Sequence, residues 1–389
     1  MKKYALLFIS LFVILFSFND VTYAQQANVT VGPYHLKKIV DLQTTSIKNQ
    51  ALSGTCWSFS TVSFFESELI RTGKGHINLS PMFVVNHAYR DKATKYVRMH
   101  GKMQFGPGGE AEDVKYVWER YGMLPLYAYT GLPDGQTKYR ELEMDKALKS
   151  MLDAVITNPD GMLDPEWHNA FDGALNGYLG NPPNTFTYKG KTYTPKSFAK
   201  YLGLNMDNYI PITSYNTHPY YSRYILEIPD NWEWEKYENV KLNDMMDIIN
   251  NALKHGYSVA WGADVSNAGF NFKRGLAVIP NYIENWADMT KASKDSMFTR
   301  VYKQLDVTQA LRQKMYDNYT TQDDHGMQII GLYKDQNGDT FYRIKNSWGV
   351  KGVRKGYFFA SAAYVRMNTT TIMVNKNSIP EDLQKKMGL

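Results

Sequence analysis

Gln50-Ala51-Leu52-Ser53-Gly54-Thr55-Cys56-Trp57-Ser58-Phe59-Ser60 is the stretch on which the reading of this chain turns. From Cys56 onward the apolar residues Trp57, Phe59, Val62, Phe65 and Leu69 recur at helical spacing, and the pattern stops at Gly73. Cys56 therefore falls in the first turn of a predicted helix. Unpaired N–H groups and a partial positive charge there favour thiolate over thiol. Gly54 permits a tight backbone approach just before that turn. Gln50, earlier on the same loop, can bring its side-chain amide to the same point. With the backbone N–H of Cys56 it makes a two-donor hole for the oxyanion of an attacked carbonyl.

A thiolate nucleophile needs a base. Of the chain's eight histidines, only His325 stands at the mouth of a strand pair that also carries a polar motif. The strands are read at Met327–Tyr333 and Thr340–Lys345, joined by the turn signal Asp335-Gln336-Asn337-Gly338-Asp339. The motif is Lys345-Asn346-Ser347-Trp348-Gly349. Asn346 can accept a hydrogen bond from one ring nitrogen of His325 and leave the other facing Cys56, as the third member of a triad does. Trp348 can cover that bond and exclude water. Taken alone, a histidine in a loop is more often a satisfied polar group than a catalyst. The conjunction with the Cys56 and Asn346 blocks carries the assignment. Nothing in the pattern calls for a metal or a cofactor.

Cys56 is the only cysteine in 389 residues, so no internal disulfide framework is available. The first residues make that lone thiol more telling. Lys2 and Lys3 precede an apolar run from Ala5 to Phe16, and Val21-Thr22-Tyr23-Ala24 offers a small residue for cleavage. This is the layout of a secretory signal peptide over residues 1–24, and the run is short for a membrane span. The expectation is an exported chain, periplasmic or extracellular, with no stable membrane anchoring after cleavage; an uncleaved anchor is the alternative. A free thiol in an oxidising compartment is a liability, which asks for a reason to keep it. A net charge of +6 without a long basic run or a basic helix face gives no indication of nucleic-acid binding. Composition leaves the oligomeric state open, a homo-oligomer included.

Helical patterns dominate the first part of the chain. Ser80 can cap a helix running through Val97, and Gly108-Gly109 precede another that ends at Gly122. Residues from about 126 to 240 read as a helical insertion with its own packing, including Tyr139–Ile156 and Asp164–Leu179. A helix at Leu242–Lys254 then leads into a strand-rich part with strands at Tyr257–Ala263, Tyr357–Ala360 and Thr370–Val374. Helices first and strands later predict an α+β fold of two lobes.

Gln50…Cys56-Trp57-Ser58-Phe59, Gly108-Gly109, Asp324-His325-Gly326 and Asn346-Ser347-Trp348-Gly349 together resemble the papain family of cysteine peptidases. The papain signature has a cysteine where this chain has Ser53 and a smaller residue where it has Thr55. That change removes a structural disulfide and leaves the catalytic positions intact. His325 lies 269 residues after Cys56 (from 56 to 325), against roughly 130–150 in papain itself. The excess points to the bleomycin hydrolase and aminopeptidase C branch, which is similar in carrying a helical insertion. Leu179–Thr187, Lys254–Asp264 and Ile379-Pro380-Glu381-Asp382-Leu383 resemble that branch as well.

The resemblance implies a papain-like peptidase domain over 25–389 that hydrolyses peptides through Cys56, His325 and Asn346. The oxyanion hole would be Gln50 with Cys56, substrate would bind at Gly108, Gly109 and Gly326, and Trp57 and Trp348 would support the site. It implies aminopeptidase action. In that branch a C-terminal arm enters the cleft and its carboxylate holds the substrate's amine. This chain closes with Lys385-Lys386-Met387-Gly388-Leu389, short of that pattern, so the non-primed side is expected to be more open. An endopeptidase or dipeptide-releasing enzyme on the same scaffold is therefore the alternative. An inactive peptide-binding module and a transglutaminase-like acyl transferase are the readings from other classes. The short span between Ala24 and Cys56 leaves no room for a large inhibitory propeptide, so the enzyme is expected to be active once exported.

Overall fold

The computed structural model describes residues 28–133, 135–158, 161–282 and 289–389; the expected signal segment lies outside them. An N-terminal hairpin, β1 (Val29–Val31) and β2 (Tyr34–Asp41), leads to α1 (Cys56–Arg71), α2 (Pro81–Arg98) and α3 (Ala111–Tyr121). Local chemistry sets these boundaries. Ser80 Oγ accepts from the N–H of Phe83, with Pro81 in the first turn of α2. Gly122 ends α3 at φ 94°, and a Cβ there would lie 2.3 Å from the Pro195 backbone.

The next segment contains α4 (Leu142–Ile156), α5 (Trp167–Leu179), the small hairpin β3 (Phe186–Tyr188) and β4 (Lys191–Tyr193), and α6 (Pro195–Leu202). It does not pack by itself. Met144, Leu148, Leu152, Phe171, Leu175, Leu179 and Phe198 share one buried core with α1–α3. The remainder of the expected insertion, β5 (Tyr209–Thr213), β6 (Ser222–Ile225) and β7 (Lys236–Asn239), joins the main sheet.

There follow α7 (Leu242–Lys254), β8 (Val259–Ala263), β9 (Phe270–Asn271), β10 (Leu276–Ala277), α8 (Lys291–Ser296), α9 (Gln309–Asp317), β11 (His325–Lys334), β12 (Thr340–Lys345), β13 (Tyr357–Ser361), α10 (Ala362–Asn368), β14 (Thr369–Asn375) and α11 (Glu381–Met387). The sheet runs in the order β6-β7-β5-β14-β8-β11-β12-β13-β10-β9, with β2 also paired to β11 and β1 to β2. The N-terminal arm is thus bound into the sheet.

α1 is the pivot. It is buried almost all round, and it packs on α2 and α3 on one side and on β8 and β11 on the other. On the far face of the sheet, α7 buries Leu242, Met245, Met246, Ile248, Ile249 and Leu253 at helical spacing. Each such side chain contributes about 1.5–3 kcal/mol of burial free energy. The start of α1 and the start of β11 meet between the two cores, and there the cleft opens.

Candidate active site

A cavity of about 270 Å³ lies between the first turn of α1, the Gly108–Ala111 segment, and the ends of β8 and β11. Gln50, Cys56, Trp57, Gly108, Gly109, His325 and Gly326 all line it. Asn346, Ser347 and Trp348 stand behind His325.

Cys56 is the first residue of α1 and is half-buried. Its N–H finds no protein acceptor among the described residues, as expected at a helix start. Gly54 does permit a close approach, and the neighbour is Pro107: a Cβ on Gly54 would sit 2.5 Å from the proline ring. Gln50 is buried and held at both ends. Its Nε2 donates to Ser53 O at 2.8 Å, and its Oε1 accepts from Ser347 Oγ. One amide hydrogen remains for the cleft.

His325 opens β11 and pairs with Ala263 of β8. Its Nε2 lies 2.8 Å from Asn346 Oδ1. The same oxygen accepts the Ser347 N–H at 2.7 Å. A backbone N–H can only donate, so that atom of Asn346 is the oxygen and Nε2 must carry the proton. Nδ1 is then the nitrogen left to act as a base. The Trp348 ring lies 4.6 Å from the imidazole, centroid to centroid, and covers it. Gly326 lets β11 approach α1, since a Cβ there would lie 2.8 Å from Ser60 Oγ and 2.9 Å from Trp57 Cα.

The electrostatics differ from the expectation of a thiolate favoured by the helix start. Burial pushes the Cys56 thiol up to about 12; the N–H groups of Gly326 and Trp57 oppose the rise, and Asp323 and Asp230 add to it. Burial lowers His325 to about 4, against the Asn346 bond. Burial thus favours the neutral form of each group taken singly. The charged form open to this site is the pair made by one proton moving from sulfur to Nδ1, in which each charge supports the other.

Gly108 and Gly109 also have a reason the sequence did not disclose. A Cβ on Gly108 would run into the Asp230 carboxylate, and one on Gly109 would lie 2.4 Å from Asp113 Oδ2 and 2.9 Å from the Trp57 ring. Protein neighbours already require both glycines, whatever their part in binding substrate. Trp57 supports this segment through Nε1, which donates to Pro107 O at 2.8 Å.

Sequence reasoning missed a set of carboxylates. Glu110, Asp230 and Asp323 line the cleft together with Asp324, and among the described residues no Lys or Arg does. Glu110 is raised well above the usual carboxylate range by burial and by Asp323. Asp323 is raised by burial and held down by its bonds to Glu110 and Thr370. Asp230 is pushed up to about 6 by burial and Asp323, and Asp324 to about 7 by burial and Asp264. The adjacency of Asp323 and Asp324 to His325 and of Glu110 to Gly109 was visible in the sequence; Asp230 arrives from a distant segment. Among the described residues no group of His, Cys, Asp and Glu could hold a metal ion.

Comparison with known proteins adds to this geometry. Residues 174–388 match the model of the Peptidase C1-like family, and residues 37–103 match that of the papain family cysteine proteases. The chain is 26% identical to aminopeptidase C of Lactococcus lactis subsp. cremoris, over 88% of this chain and 83% of that protein. It is 23% identical to aminopeptidase W of Lactobacillus delbrueckii subsp. lactis, over 88% of this chain and 84% of that one. A crystal structure of PepW from Lactobacillus rhamnosis superposes with a TM-score of 0.68 at 20% identity, covering 90% of this chain and 84% of that one. That likeness shows the α+β papain-like fold.

Proposed function

The chain belongs to the Peptidase C1-like family of papain-type cysteine peptidases, and from that premise we propose that it is an aminopeptidase working through Cys56, His325 and Asn346. The carrying observation is the Nε2–Asn346 bond, which presents the other imidazole nitrogen in the cleft that Cys56 opens onto. In this reading Nδ1 takes the proton from Sγ as sulfur bonds to the scissile carbonyl carbon. The carbonyl electron pair moves onto oxygen, which the Cys56 N–H and the Gln50 amide receive. The C–N bond then breaks, and the leaving amine takes the proton from Nδ1. Water, deprotonated by Nδ1, attacks the thioester; sulfur leaves and regains the proton.

Two things support action at a free N-terminus. The relatives are aminopeptidases by name. The cleft presents four carboxyl groups and no basic side chain other than His325, a setting that suits an α-ammonium. One observation favours a second reading, an endopeptidase: no described residue after Thr371 lines the cleft.

A free-amine peptide and its N-acetylated twin separate the two. The free amine is expected to react faster by about tenfold or more, the size of one charge-assisted hydrogen bond. The preference should grow as pH rises through about 6 to 7, where Asp230 and Asp324 ionise. It should fall again as the α-amine loses its proton near about 8. Equal rates across that range would replace the aminopeptidase reading with the endopeptidase one. The basic and apolar N-terminal segment makes export part of the proposal; a mature chain beginning at Gln25 in the periplasmic or extracellular fraction is the expected finding.

A further inference from the structure

Lys92 lies on α2, is only 3% exposed, and has no carboxylate within ion-pairing distance among the described residues. Burial pulls its ammonium below the usual lysine range, opposed by Asp113, Asp230 and Asp145 from further away. A buried charge without a contacting counter-ion is costly. Here it donates to two backbone carbonyls, Gly106 O at 2.9 Å and Gly108 O. The rings of Trp232 and Tyr89 lie beside it, at 5.6 and 5.7 Å.

These two carbonyls belong to the loop that forms one wall of the cleft. Trp57 Nε1 takes the carbonyl between them, Pro107 O, and Asp113 takes the N–H of Glu110. The loop has no β-ladder of its own, and between Gly106 and Gly109 the bonds to its carbonyls come from side chains. Its one residue left over is Gly109. It lines the cavity, and neither its N–H nor its C=O has a protein partner among the described residues. A substrate backbone or α-amine entering the cleft finds those two groups free.

We propose that Lys92 is a positioning residue for substrate binding: by holding Gly106 O and Gly108 O from beneath, it aims the main-chain groups of Gly109 into the cleft. It touches neither substrate nor the reacting atoms. Without it the two carbonyls are released, and the glycine-rich segment between Gly106 and Gly109 is free to rotate its peptide planes. Affinity for peptides falls while the thiol and imidazole stay in place. The proposal rests on the peptide-hydrolase reading, because it is substrate that Gly109 is aimed at.

The test compares Lys92→Met with the unaltered protein on one free-amine peptide, together with the rate at which iodoacetamide alkylates Cys56. The expected result is a KM raised about tenfold or more with kcat within about threefold, a loss of binding rather than of chemistry. Alkylation should stay within about twofold. An unchanged KM overturns the proposal, and so does a joint fall of kcat and alkylation, which would place the lysine behind Cys56. Should Lys92→Met not fold, Lys92→Arg carries the test. It keeps donors but displaces them, so KM should rise with alkylation unchanged, and no change in KM again overturns the proposal. If neither variant yields protein that alkylates at Cys56, Lys92 holds the fold rather than the loop and the proposal fails. If the unaltered protein alkylates but cleaves no peptide, the functional reading fails instead.

Discussion

On the strand wall of the cleft, His325 and Asn346 are placed by backbone. His325 sits in register with Ala263, Asn346 N–H bonds to Gly356 O, and Gln50 N–H bonds to Ser347 O. The opposite wall, Gly106 to Glu110, has no strand partner, and the side chains of Lys92, Trp57 and Asp113 hold it. A ladder spreads an error over many bonds, whereas a loop tied by three side chains moves when one is lost. The chemistry is therefore expected to depend on the strand wall and the start of α1, and the affinity on the loop wall.

The sharpest way to break that division is at the chemistry. Cys56→Ser and His325→Ala are each expected to lower kcat/KM by about 10³ or more. Asn346→Ala should cost less, because Trp348 still packs on the imidazole while the tautomer is no longer fixed. Kinetics with active-site titration measure all three, and full activity in Cys56→Ser would remove the nucleophile from the mechanism.

Gln50 comes next, since it ties the approach to α1 to the strand wall. Its amide is anchored by Ser53 O and Ser347 Oγ, so it meets a developing oxyanion without reorganising. Gln50→Ala should lower kcat by about 10²–10³ with a smaller change in KM. A loss confined to KM would show that Gln50 binds substrate and does not serve the transition state.

The same contrast explains how much was legible beforehand. α7 and β12 matched their expected bounds, because six apolar positions at helical spacing and a turn-bounded run rich in aromatic and β-branched residues are local signals. The blocks around Cys56, His325 and Asn346 were legible as short contiguous motifs that resemble a known family, although pairing between distant segments is what places them. β5, β6 and β7 were not seen. They are 5, 4 and 4 residues long, one contains Pro211, and what makes them strands is pairing with β14 and with each other. The hairpin of β3 and β4, three residues to a strand, was likewise not seen. Asp230 and Lys92 could not be placed at the site from the sequence, since only the tertiary fold brings them there. The thiol's burial was invisible too, and with it the failure of the helix start to favour a lone thiolate.

The smallest effect on catalysis is expected at the C-terminus. Leu383 and Met387 of α11 fall on one helical face, and both are buried in the core that α7 and the sheet share. Asn251 of α7 donates to Ser378 O just before the helix, and the Leu389 N–H closes back onto Gln384 O. Seven helical residues span only about 10 Å, and none of them lines the cleft. Deleting Glu381–Leu389 should therefore leave the ratio of rates on free and acetylated peptides within about twofold, whatever that ratio is. Stability should suffer instead, by about 3–6 kcal/mol for the two apolar side chains returned to water, and denaturant titration would measure it. The two readouts separate the roles of the segment. A helix that only completes the core moves the unfolding midpoint and leaves selectivity alone. A large swing toward the acetylated substrate would mean that the segment reaches the non-primed side during turnover, and the recognition of the amine would have to be reassigned from the cleft carboxylates to the C-terminal residues.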